Sequence, residues 1–308
     1  MSRSFAARTT AGAAAIAFGL AGCAATGDSG SPSSTRVAVV ASTTILGSVA
    51  DQVVECAGGQ VQTLMPVGAD PHDYAPSSSD VAAMVTATLV ITNGLGLEEG
   101  LTSALATARQ DGATVLEVGP ALDPQPFGGS SDSPDPHVWM DVARMATAAS
   151  VIGDKLAELT GEPAYGECGT TVAAALTATD AQVRTILDTV PAAARVLVTD
   201  HEAFGYFSRA YGYTVAGVVI PGGSTLAQPS SSELAALAQT VRTAGVTAIF
   251  ANTANPTALV DALARESGQH VAVVELYVGS LGPAGSGADT YQAMMVTNAH
   301  RIADALAG

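Results

Sequence analysis

Two kinds of hydrophobic pattern alternate along this chain. Short unbroken apolar runs, suited to strands covered on both faces, occur at residues 37–41, 61–65, 89–92 and 113–118. Segments with apolar residues at helical intervals lie between them, at residues 43–56 (Ile45, Val49, Val53), 79–85 and 98–109. A largely helical stretch follows over residues 142–159. Pro163 then restarts a helix predicted over residues 164–190, which contains no proline and would span roughly 40 Å as a rigid connector. The alternation resumes with apolar runs at 195–199, 215–220, 248–251 and 271–276, and with helical segments at 203–211, 231–243, 256–267 and 287–306. The pattern predicts an α/β fold of two lobes, each a four-stranded, mainly parallel sheet flanked by helices, joined by one long rigid helix. The predicted divisions are an N-terminal lobe over residues 36–162, a linking helix over 163–190 and a C-terminal lobe over 191–308. Ligands of open α/β sheets sit beyond the carboxyl ends of the strands, so two facing lobes place two such edges around one cleft.

Composition narrows the partners. Of 308 residues, 48% are hydrophobic and 13% charged, which excludes a mainly disordered chain. Asp and Glu number 28 against 12 Lys and Arg, a net charge of −16. That balance lacks the basic face that phosphate neutralisation needs, so nucleic acid is excluded as a partner. At the N-terminus Arg3 and Arg8 precede an apolar stretch over residues 11–20, closed by Leu20-Ala21-Gly22-Cys23. This is the layout of a secretory signal ending in a bacterial lipobox. Residues 1–22 are predicted to be a signal peptide, with Cys23 lipidated and residues 23–35 (small and polar) a flexible tether. The protein is then extracytoplasmic and held at the cell membrane by its lipid alone. An exported setting permits Cys56 and Cys168 to form a disulfide, the alternative being two unpaired buried thiols.

Five histidines are present, and three share a setting. His72 lies in GADPHDYAP after the second predicted strand, His137 in SPDPHVWMD ahead of a helix, and His201 in VTDHEAFGYF just past the first strand of the second lobe. All three fall at element ends, where functional groups concentrate. Each alone is more often a surface or hydrogen-bonded residue. Together, three imidazoles suit a borderline divalent transition ion. The neighbouring acids Asp70, Asp73, Asp135, Asp200 and Glu202 are placed to orient the rings, or else simply to form turns and helix caps. His270 and His300 read as structural or solvent-exposed.

The segments at residues 68–81 (GADPHDYAPSSSDV), 135–142 (DPHVWMDV), 199–213 (TDHEAFGYFSRAYGY) and 281–295 (LGPAGSGADTYQAMM) resemble the zinc/manganese-type solute-binding lipoproteins of bacterial ABC transporters. The resemblance covers nearly all of the chain after the leader. It implies two α/β lobes joined by a rigid helix. It also implies a monomeric protein, not an enzyme, that captures a divalent transition metal and hands it to an ABC permease. Residue by residue it implies His72, His137 and His201 as metal ligands. A histidine at the third position is similar to the zinc-type members, whereas manganese-type members tend to carry Glu, so Zn2+ is expected rather than Mn2+.

One position departs from that pattern. The family reads Ser/Thr/Asn-Asp-Ser-Leu-Gly where this chain reads Tyr277-Val278-Gly279-Ser280-Leu281-Gly282, so Gly279 stands in place of the fourth, carboxylate ligand. Three neutral rings leave the ion's charge uncompensated. Weaker binding is expected, or reliance on a nearby acid such as Glu202 or Glu275. Proton competition is expected as pH falls through about 6–6.5. Two other readings follow from the same glycine. One is a degenerate relative that binds a metal chelate or serves in cell adhesion. The other is a three-histidine zinc hydrolase, against which stands the lack of H-E-x-x-H or G-x-S-x-G motifs.

Overall fold

The structure, a computed structural model, describes residues 38–127 and 133–307. The predicted leader, Cys23 and the tether lie outside the described residues. Strand β1 (Ala38–Ala41) pairs in parallel with β2 (Gln60–Thr63) on one side and β3 (Leu89–Thr92) on the other, and β3 pairs in parallel with β4 (Val115–Glu117). The order is β2-β1-β3-β4. The second sheet repeats that winding as β6-β5-β7-β8, from β5 (Val196–His201), β6 (Thr214–Ile220), β7 (Ala248–Asn252) and β8 (Ala272–Leu276), again all parallel. Nine helices are described: α1 (Thr44–Cys56), α2 (Ser78–Thr86), α3 (Thr102–Gln110), α4 (Val142–Thr160), α5 (Ala164–Leu187), α6 (Gly205–Tyr211), α7 (Ser231–Ala244), α8 (Ala258–Glu266) and α9 (Tyr291–Leu306). None among the described residues is long and apolar enough to cross a membrane.

Strand side chains alternate between faces, and here both faces are dry. Val39 and Ala41 of β1, with Leu89 and Ile91 of β3, face a central core, while Val40 and Val90 face an outer one under α2 and α3. The second sheet does the same. Leu197, Ala248 and Phe250 enter the central core, and Val198, Ile249 and Ala251 enter an outer core with Leu237 and Val241 of α7. The central core is therefore one continuous body of buried side chains shared by both lobes.

Two helices carry that continuity. Helix α5, 24 residues and roughly 36 Å long, packs on α1 and α4 of the first lobe and on α9 of the second. It ends at Leu187, short of the predicted residue 190, because Pro191 lies just ahead. Helix α9 also spans the junction. Its Tyr291 hydroxyl donates to the Trp139 carbonyl at 2.6 Å and its Gln292 meets Gln52 of α1, while its far end packs beside β8 and accepts at Ala305 from Thr247. Periodicity placed the start of α9 at residue 287. It begins at Tyr291, because the Thr290 hydroxyl caps it by accepting from Ala293 N.

Helices α4 and α5 meet backbone to backbone. A Cβ on Gly153 would lie 2.5 Å from the Tyr165 carbonyl oxygen, and one on Gly169 would lie 2.8 Å from that of Ala149. Beside this contact Cys168 is joined to Cys56 of α1 by a disulfide, with Cα atoms 6.0 Å apart and a sequence separation of 112. Gly166, one turn earlier, meets nothing closer than 3.5 Å. Gly153→Val should therefore force the helices apart and cost about 2–3 kcal/mol. Gly166→Ala should gain up to about 1 kcal/mol from helix propensity alone. Urea unfolding of both variants, with the disulfide intact, checks the contrast.

Candidate metal centre

Each of the three histidines is positioned by the aspartate just before it. In the loop between β2 and α2, Asp70 Oδ1 accepts the His72 amide at 3.0 Å, which turns the chain at Pro71. In the loop ahead of α4, Asp135 Oδ1 accepts both the His137 amide at 2.9 Å and its ring Nδ1 at 2.8 Å. His201 is the last residue of β5, and Asp200 Oδ1 accepts both its amide and its ring Nδ1 at 2.9 Å. Asp200 Oδ2 takes the amide of Asn252 at the end of β7, the neighbouring strand, at 3.0 Å.

The three rings converge. Their centroids lie 5.3–6.0 Å apart, their ligand atoms fall within 4.8 Å of one another, and all three residues are buried. His72 Nε2 and His137 Nε2 are 3.3 Å apart. Nitrogens at 2.0–2.1 Å from a tetrahedral zinc must lie about 3.3–3.4 Å from each other, so this pair has the spacing such an ion imposes. A carboxylate holding Nδ1–H leaves Nε2 of the same ring as the lone-pair donor, so His137 and His201 present Nε2 to the common centre. His72 Nδ1 is buried without a hydrogen-bond partner. The ring of Trp139 packs 5.2 Å from His137 and its Nε1 donates to the Val278 carbonyl at 2.8 Å.

Charge completes the design. Burial, reinforced by the neighbouring His137 and His201, pushes the His72 imidazole down to about 3. Burial also lowers His137, against the opposing pull of Asp135. Neutral rings therefore face the centre well below the ordinary imidazole range, so the onset of proton competition at these two rings is displaced below the 6–6.5 expected from the residue type. Asp135 and Asp200 are buried, each against the Nδ1 side of one histidine ring. Two carboxylates thus stand directly behind two of the three rings.

The other sequence candidates sit elsewhere. Glu202 accepts from Gly222 N at 3.2 Å, in the loop after β6, and Glu275 is exposed on β8. Neither belongs to the cluster of three. A Cβ on Gly279 would lie 2.9 Å from Pro71 Cδ and 3.4 Å from Asn252 Nδ2, so the ring of Pro71 fills the space beside that glycine. The acids beside the rings are thus Asp135 and Asp200, one layer behind them, rather than Glu202 or Glu275. Asp73 is exposed. Asp70 turns its second oxygen across the cleft to Thr225, at 2.5 Å. Asn252 and Thr225 carried no signal in the sequence, because each acts through a fold contact rather than a local motif.

Known proteins resemble this chain in sequence and fold. The family model described as zinc-uptake complex component A, periplasmic, matches residues 39–305. The zinc-binding protein TroA of Treponema pallidum is 34% identical over 274 residues, 86% of this chain and 88% of the relative. The manganese-binding lipoprotein MntA of Halalkalibacterium halodurans is 30% identical over 287 residues, 92% and 93% of the two chains. The solved structure of the periplasmic zinc-binding protein TroA from Treponema pallidum superposes with a TM-score of 0.81 at 29% identity, covering 88% of this chain and 99% of that one. The chain therefore belongs to the zinc-uptake complex component A family, the metal-binding substrate-binding proteins of ABC transporters, and is a transport protein rather than an enzyme.

Proposed function

We propose that this chain captures Zn2+ in preference to Mn2+ outside the cytoplasm and delivers it to an ABC permease, with His72, His137 and His201 as its ligands. On this reading residues 1–22 are removed as a signal peptide, Cys23 carries the lipid that holds the protein at the membrane, and residues 23–35 are the tether. Residues 36–162 and 191–308 are the two lobes, and residues 163–190 link them. The observation that carries the reading is the convergence of three buried imidazoles, two of them backed by buried carboxylates.

The preference for zinc rests on donor type. The cluster offers nitrogen alone among the described residues. Manganese favours carboxylate and water oxygens in six-coordinate surroundings, whereas zinc accepts imidazole nitrogen in a tetrahedral site. Gly279 contributes no carboxylate, and Pro71 occupies the adjoining space. Manganese is named for MntA and zinc for TroA, so relatedness alone does not choose between the two. The complete cluster argues against a degenerate relative that has lost its metal, and for capture of the bare ion rather than a chelate.

Chelator-competition titration tests the assignment. One zinc per chain is expected, with manganese bound at least about 100-fold more weakly on the donor argument. Equal affinity for the two ions would overturn the preference. Alanine at His72, His137 or His201 should abolish tight binding, whereas Asp135→Ala or Asp200→Ala should weaken it about 10–100-fold by freeing a ring.

A pH measurement on the metal-free chain tests the neutral rings. The unfolded chain protonates its imidazoles near 6.5, but folded His72 does so only near 3. Between those values the unfolded state holds more protons, so stability falls as pH is lowered, by up to about 1.4 kcal/mol per pH unit for this one ring. Urea unfolding at pH 7 and pH 5 should show that loss, and His72→Asn should reduce it.

A further inference from the structure

We propose that Glu98 and Asn93 are positioning residues that set the separation of His72 and His137, an inference that rests on the metal-binding reading above. Glu98 is buried at the carboxyl edge of the first sheet. Its Oε1 accepts from Ser42 Oγ at 2.7 Å and from Asn93 N at 2.6 Å, and its Oε2 accepts from Gly94 N at 3.0 Å. Three neutral donors hold a carboxylate that is otherwise costly to bury, so its place is defined on every side. Both of its oxygens are engaged, and it lies outside the histidine cluster.

What Glu98 joins gives it a role at the site. Ser42 directly follows β1, and Asn93 directly follows β3, the adjacent strand. The Ala41 carbonyl accepts from Leu64 N at 2.9 Å, and the Ser42 carbonyl accepts from Met65 N at 3.1 Å. Leu64 and Met65 begin the loop that carries His72. On the other side, Asn93 Nδ2 donates at 2.9 Å to the carbonyl of Pro136, the residue immediately before His137. This bond is buried and crosses 43 residues of sequence. One carboxylate thus ties together the two strand ends from which both loops are hung. The 3.3 Å between His72 Nε2 and His137 Nε2 is held from behind by Glu98 and Asn93, without either touching the ion. Metal-ligand distances tolerate errors of about 0.2 Å, so a small slip of one loop against the other would be felt at the ion.

The test uses the full chain with Co2+ in place of zinc, since visible cobalt bands report coordination geometry. Zinc affinity is measured in parallel by chelator competition. Asn93→Ala leaves Glu98 and its three donors in place and deletes the bond to Pro136. It should weaken zinc about tenfold, shift the cobalt bands, and keep the parental circular dichroism spectrum. Glu98→Gln places an amide N–H against a backbone donor, and should move both readings further. Parental bands and affinity in folded Asn93→Ala would overturn the proposal. So would a loss of affinity with unchanged bands, which marks a merely structural role. Ser42→Ala, which removes one donor from Glu98, decides in the same way if either variant fails to fold. A parent chain that takes up no zinc overturns the metal-binding reading, and this inference with it. A parent that binds zinc one to one beside an indistinguishable Asn93→Ala overturns the positioning alone.

Discussion

The site depends on the grip of a buried carboxylate on the far nitrogen of an imidazole. Asp135 holds His137 this way and Asp200 holds His201, each with one oxygen that also takes the backbone amide of the same histidine. That double hold fixes the ring's tautomer and its direction at once. It also buries two carboxylates for which no lysine or arginine among the described residues serves as an ion-pair partner. Buried carboxylates without a cation are expensive.

The fold brings these grips together by repeating one winding. In each sheet the first strand lies inside, with its successor on one side and the third strand on the other. The carboxyl ends of those two inner strands are the switch point of an open α/β sheet. In the second lobe they supply Asp200, His201 and Asn252 directly. In the first they supply Ser42 and Asn93, which do not reach the centre but anchor the loops that do. The central core runs unbroken between the lobes beneath α5 and α9, and a disulfide fastens α5 to α1. A close-packed core of this kind transmits strain instead of folding open at a hinge. In the loop over residues 64–77 the His72 ring lacks the carboxylate grip of the other two.

Much of this was legible in the sequence, for identifiable reasons. The strands were readable because a parallel sheet covered on both faces needs unbroken apolar runs, as in Leu89–Thr92. The ligand candidates were readable because Asp-Pro-His occurs twice and Asp-His once, each at the end of an element. What pattern alone missed was set by contacts distant in sequence. The start of α9 is decided by the Thr290 cap, and its position across both lobes by Trp139, Ser48 and Gln52. Glu98 reads as an ordinary helix-start acid until Ser42, Asn93 and Gly94 are seen to close around it. The helix through Gly169 was readable, but the reason for a glycine there was not: the Ala149 carbonyl and Gly153 of α4 leave no room for a side chain.

The glycine at position 279 follows from the same electrostatics. A carboxylate there would add charge directly at the centre, whereas Asp135 and Asp200 stand one layer back. Attraction falls as the inverse of distance, so a charge one layer back holds a dication less strongly than one in contact. Donor type changes as well. Moving the negative charge out of contact leaves nitrogen as the only donor in the cluster, and removes the oxygen that a harder ion requires. On the proposed reading, then, replacement of the carboxylate by Gly279, with Pro71 packed against it, favours an ion that accepts nitrogen over one that requires oxygen.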